Sequence, residues 1–127
     1  MNAINFCGEI YNTSIDEVLS VLNQILDRDK IKPRNKTFWD EINYEDDNLE
    51  IYFESNRRKS NLTDRDKDEY QINGEFFTNN KDTVRIFLEK LGSLFLQQDI
   101  KYSFEYYEET EDGQQIGDGH MIDHPNF

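Results

Sequence analysis

A chain of 127 residues with 35% hydrophobic and 13% aromatic side chains can bury one real core but not two, so it reads as a single ordered domain rather than a disordered tail or a pair of units. Its 27 Asp and Glu against 14 Lys and Arg leave a formal net charge of −13, a field that opposes direct contact with nucleic acid or anionic membranes and speeds encounter with basic proteins. The lone cysteine, Cys7, excludes an internal disulfide, a CxxC redox pair and a thiolate zinc site.

The start, MNAINFCGEIY, lacks the basic residues and apolar run of a secretory signal, and no stretch approaches the ~20 apolar residues that cross a bilayer. A reducing cytoplasm is the expected location. Ile4, Phe6, Gly8 and Ile10 alternate with Asn5, Cys7 and Glu9, which predicts a strand over 3–11 with one buried face. Ser14-Ile15-Asp16-Glu17 is a capping box, and Ile15, Val18, Leu19, Leu22, Ile25 and Leu26 then follow helical spacing, predicting a helix to about Asp27 or Arg28. RDKIKPRNK reads as a basic loop around Pro33. Phe38, Ile42 and Tyr44 share the face of a following strand, and Asp46-Asp47-Asn48 supplies a turn. Leu49, Ile51 and Phe53 alternate with Glu50, Tyr52 and Glu54 and complete a hairpin.

Residues 55–68 hold one aliphatic and no aromatic side chain and read as a polar link. Beyond it Tyr70, Ile72, Gly74 and Phe76 predict a strand, and Asn80 caps a helix over roughly 81–97 whose stripe is Val84, Phe87, Leu88, Leu91, Leu94 and Phe95. Gly92 is a point where that helix is expected to end or bend. Ile100, Tyr102, Phe104 and Tyr106 form another strand, 108–113 a turn, and 114–121 a return arm weakened by its glycines.

A shift of 66 positions aligns Gly8-Glu9-Ile10-Tyr11 with Gly74-Glu75-Phe76-Phe77 and Asp16, Val18 and Leu22 with Asp82, Val84 and Leu88. The chain therefore reads as a duplicated strand-helix-hairpin unit, with pseudo-repeats 3–54 and 69–121 in one domain, 1–127. The expected fold is α+β: a largely antiparallel sheet of about six strands with two helices on one face.

Two acidic tracts stand at matching places in the two hairpins. Glu41, Glu45, Asp46, Asp47, Glu50 and Glu54 lie in one, and Glu105, Glu108, Glu109, Glu111, Asp112, Asp118 and Asp123 in the other, each free of Lys and Arg. Trp39, Tyr44, Tyr52, Tyr106 and Tyr107 are interspersed with them; by parity Trp39 and Tyr52 face outward, whereas Tyr106 belongs to the core. Trp39, Glu45, Asp46, Asp47, Glu50 and Tyr52 form the first candidate partner-binding patch, and Glu108, Glu109, Glu111 and Asp112 the second. The ordinary alternative is a pair of solvated hairpins protected by charge.

Catalytic and cofactor signals are missing. Cys7 falls in a buried run and reads as structural, and the sequence shows no nucleophile elbow, phosphate loop or dinucleotide fingerprint. His120 and His124 with Asp118 and Asp123 carry metal-donor chemistry, but Gly117, Gly119 and Pro125 oppose the helix that the histidine spacing requires, so no metal or other cofactor is expected.

A small acidic domain without catalytic motifs and rich in outward carboxylates and tyrosines resembles bacterial immunity proteins that neutralise contact-dependent or polymorphic toxins. The resemblance covers the whole chain in size, charge and element content and is carried by no motif. It implies a tight complex with a toxin domain, often a basic nuclease, whose active or substrate-binding surface is covered. A non-enzymatic inhibitor of that type is the leading expectation. Its competitors are a nucleic-acid mimic that binds a DNA- or RNA-binding protein, a small metal-dependent hydrolase using His120 and His124, and a homodimer formed through an open sheet face.

Overall fold

Large apolar residues at every second position of β1 (Ala3–Thr13) put Ile4, Phe6 and Ile10 in the core and turn Asn5, Cys7 and Glu9 to the other side. A computed structural model describes residues 3–36, 39–55, 68–110 and 112–126. Four further strands repeat this alternation, β3 (Asp40–Glu45), β4 (Leu49–Ser55), β5 (Asp68–Phe76) and β6 (Tyr102–Glu109), and a fifth, β7 (Gln115–Asp123), is largely exposed along its length. With β2 (Ile31–Asn35) they form one fully antiparallel sheet in the order β2-β3-β4-β5-β1-β6-β7.

The sheet thus has seven strands rather than about six, and the extra one lies where the sequence reads as a basic loop. The first part of that loop is a 3-10 turn, Arg28–Lys30. Ile31 then anchors β2 in the core, and Pro33 is tolerated because β2 is outermost and needs ladder partners on one side only.

Ser14 caps α1 (Ile15–Leu22) by accepting the Glu17 N–H at 3.3 Å, an arrangement worth about 1 kcal/mol. The helix stops at Leu22, short of the expected Asp27. After the cap residue Asn23 the bonds tighten to three-residue steps, Gln24 N–H to Val21 O and Ile25 N–H to Leu22 O. Ile25 and Leu26 still pack on the core, so their apolar spacing is satisfied by a turn.

Asn80 caps α2 (Lys81–Gln97) through the Asp82 N–H at 3.0 Å, and Val84, Leu88, Leu91 and Phe95 form its buried stripe. The helix runs unbroken through Gly92. A Cβ there would lie 2.7 Å from the Tyr102 ring, so the missing side chain lets α2 settle against β6. Gly74 plays the same part within the sheet, because the Phe6 ring occupies the space its Cβ would take. Phe6 in turn meets Phe76 at 5.7 Å and Phe87 of α2 at 6.2 Å between ring centroids.

Both helices and one sheet face share this core. After α1 the chain goes out to β2 and meanders inward to β4, whereas after α2 it enters beside β1 at β6 and then moves outward to β7. At the margin of the core Ser55 accepts the Asp40 N–H at 2.9 Å, and the buried Tyr70 hydroxyl donates to Asp40 Oδ2 at 3.3 Å. Phe38, Glu111 and the link residues 56–67 lie outside the described residues.

Candidate protein-binding face

The two helices leave the second face of the sheet uncovered, and the strand registers order its side chains into rows across the strands. Glu45, Glu50 and Glu75 stand opposite one another on β3, β4 and β5, and the row continues to Asn5 and Tyr107. Two residues further along each strand comes a second row, Asn43, Tyr52, Asn73 and Cys7, which reaches Glu105 and Met121 on β6 and β7. The third row is Glu41, Glu54, Gln71, Glu9, Ser103 and Asp123. At the β2 edge, Lys32 opposes Asn43 and Arg34 opposes Glu41.

Tyrosines tie down part of this acid. The Tyr52 hydroxyl bonds the Glu54 carboxylate, and burial together with that bond and the charges of Glu54 and Glu41 pushes Tyr52 up to about 12. Tyr11 donates to Glu9, and Asn5 Nδ2 donates to Glu109. Glu41 is largely covered and accepts from Trp39 Nε1 at 3.1 Å and from Asn43 Nδ2 at 3.3 Å.

No ion pair among the described residues reaches the first row. Partial desolvation, a hydrogen bond with Glu45 and the charges of Glu45 and Glu75 hold Glu50 above the usual carboxylate range. Among the described residues, ion pairs join Lys30 to Asp27, Lys81 to Glu108, and Arg85 to Asp82 and Glu89, and none reaches these rows. Sheet and 3-10 turn together enclose an open trough of about 670 Å³ over the first two rows, lined by Asn5, Lys30, Glu45, Glu50, Tyr52 and Glu75 among others.

No protein-family model and no curated protein matches this chain.

The residues singled out in the sequence divide. Glu45, Glu50 and Tyr52 meet on the open face, and Glu109 lies at its far side on β6. Trp39 is half-buried just before β3 and serves as a donor to Glu41. Asp46 is engaged in the β3–β4 turn, where it accepts from the Tyr44 hydroxyl at 2.5 Å, Asn48 N–H at 2.7 Å and Leu49 N–H at 3.0 Å. Burial raises its pKa, but the Tyr44 and backbone donors, with Lys30 nearby, outweigh that and hold it low. Asp47 and Asp112 are exposed in turns, while Glu108 points to the helix side and pairs with Lys81 at 2.9 Å.

Glu75 and Glu9 complete the rows, although neither belongs to the expected patches. Both are polar members of alternating runs, so their facing is visible in the sequence, but their proximity to Glu50 and Glu54 depends on β5 and β1 lying between β4 and β6.

Cys7 is half-exposed on the open face rather than buried, and burial together with Glu105 and Glu9 pushes its thiol up, away from the reactive thiolate. His120 stacks on Tyr106 at 5.0 Å. His124 is buried against Tyr102, and its Nδ1 accepts the Asn126 N–H at 3.0 Å. Among the described residues no group of three or more His, Cys, Asp and Glu side chains is placed to hold a metal ion. No described helix is long and apolar enough to cross a membrane.

Proposed function

We propose that this chain is a non-enzymatic inhibitor of the immunity-protein type, which recognises a basic partner protein with the open face of its sheet. The observation that carries the reading is the set of carboxylate rows on the face away from the helices, of which the first, Glu45, Glu50 and Glu75, is reached by no ion pair among the described residues. Opposite charge across such a surface speeds encounter and fixes register, while Tyr52 offers a rigid, half-exposed contact near the centre. A toxin domain whose substrate is nucleic acid fits, because the basic surface that holds phosphates would accept carboxylates in their place. Covering that surface blocks the substrate without any chemistry by the inhibitor.

The test is co-expression with the product of the adjacent reading frame, with cell growth and complex formation as readouts. The native chain is expected to restore growth and co-purify with that product. Glu45→Lys, Glu50→Lys and Glu75→Lys together are expected to slow association and flatten its salt dependence while the melting transition is retained. Equal protection and unchanged association kinetics in the reversed variant would remove the open face from the mechanism.

A further inference from the structure

The open face carries information about the shape of its partner as well as its sign, on the reading that it is a protein-binding surface. Along β4, Glu50, Tyr52 and Glu54 follow one another at two-residue intervals. This places the two acidic rows roughly 13 Å apart, with Asn43, Tyr52, Asn73 and Cys7, the uncharged part of the middle row, between them. Successive carboxylates of the first row, Glu45, Glu50 and Glu75, are about 4.8 Å apart, the spacing of neighbouring strands, while Glu54 and Glu9 of the third row stand two strands apart with Gln71 between them.

We propose that the strip of open face between the two acidic rows, which includes the Tyr52 side of the trough, receives a basic α-helix of the partner, lying across the strands, with Lys and Arg on both flanks meeting the two rows and its inward stripe resting on Tyr52. A helix with its side chains is about 10–12 Å across, which matches the separation of the rows. Residues on one helix flank recur after three or four positions, a rise of about 4.5–6 Å that keeps step with the strand spacing. An extended segment repeats its facing side chains only every ~6.7 Å and falls out of step when it crosses the same strands. Charge complementarity points the same way. Glu45, Glu50 and Glu75 crowd one another and no ion pair among the described residues reaches them, although Lys30 and Lys32 border the same trough, so a cationic flank relieves that repulsion on arrival. In the uncharged part of the middle row, the half-exposed Tyr52 ring offers a flat platform for aliphatic stems or a guanidinium.

Two synthetic peptides of equal Lys, Leu and Ala composition, each about 18 residues or five helical turns long, provide the probe. One places Lys on both flanks of a Leu stripe at helical spacing, and the other alternates Lys and Leu at strand spacing. Calorimetric titration of the full chain is expected to show the helical peptide binding at least about tenfold more tightly. Glu45→Gln/Glu50→Gln/Glu75→Gln and Glu9→Gln/Glu54→Gln should each weaken it by about the same factor, whereas Asp16→Asn/Glu89→Gln on the helices should leave it unchanged; circular dichroism confirms that all three variants fold. Equal or tighter binding of the alternating peptide, or dependence on one row alone, overturns the helical partner and leaves the open face standing. No binding of either peptide, or binding that ignores both rows, removes the face together with the inference.

Discussion

The two faces of this sheet are made by the same strands and differ only in which alternate residue each strand presents. On the covered face Ile4, Phe6, Ile42, Ile51, Phe53, Ile72 and Phe104 pack beneath α1 and α2 with almost no exposure. On the open face the intervening positions are Asn5, Glu9, Asn43, Glu50, Tyr52, Glu54, Asn73 and Glu75. One face supplies the free energy of folding by removing apolar area from water. The other accepts crowded like charge, which costs some stability and confers the capacity to attract a cation. The period of two keeps these tasks separable, so a change at one position leaves the other face nearly untouched.

The largest expected effect breaks the covered face. Phe53→Ala should cost about 3–5 kcal/mol in urea unfolding, because a fully buried ring leaves a cavity, whereas Tyr52→Ala next to it should cost less than about 1 kcal/mol. Comparable losses at both positions would show that the faces are not independent. Tyr70→Phe should cost about 1 kcal/mol, since it removes the buried hydroxyl that donates to Asp40. Burial first, then the charge and hydrogen bond of Asp40, hold the Tyr70 hydroxyl protonated in the folded chain. That contribution is full below the ordinary tyrosine range near 10 and disappears as pH rises beyond it, so the native chain should lose stability in strong alkali more steeply than Tyr70→Phe does.

The smallest effect sharpens the contrast on the open face. Glu50 has a folded pKa above its ordinary value, so its carboxyl favours folding while protonated and loses that contribution as pH rises through the carboxylate range above 4.5. Glu50→Gln should therefore raise the melting midpoint by about 1 °C near pH 7 and leave it unchanged near pH 3, as read by parallel thermal melts. A lower midpoint at neutral pH would mean that Glu50 has a favourable cationic neighbour.

Strand parity and helix capping made much of this legible in advance. The alternating Ile4-Phe6, Leu49-Ile51-Phe53 and Tyr70-Ile72 runs and the Asn80 cap predict β1, β4, β5 and α2 with bounds close to those observed. β2 was hidden because Lys32, Pro33 and Arg34 carry no apolar alternation, and only an outermost position accommodates them. The end of α1 was hidden because Ile25 and Leu26 reach the core from a turn that imitates helical spacing. For the candidate site, the outward facing of Glu45, Glu50 and Tyr52 followed from local pattern. Their assembly with Glu75 and Glu9 did not, because strand order is set by long-range pairing. Nor does composition distinguish a carboxylate free to meet a partner from one already engaged, as Asp46 is in its turn and Glu108 is with Lys81.

The outermost strand with its proline has a further consequence. A chain built almost wholly on one broad sheet offers its own edges as templates for growth by other copies. At β2 the imide of Pro33 offers no N–H to extend such a ladder, and Lys32 and Arg34 surround it with charge. At β7 the register slip between Tyr106 and Glu108, with Gly117 held at a φ of 74°, bends the opposite edge out of line. Both ends are thus poor seeds for fibres, and the sheet remains a finite slab whose broad acidic side stays available to a different molecule.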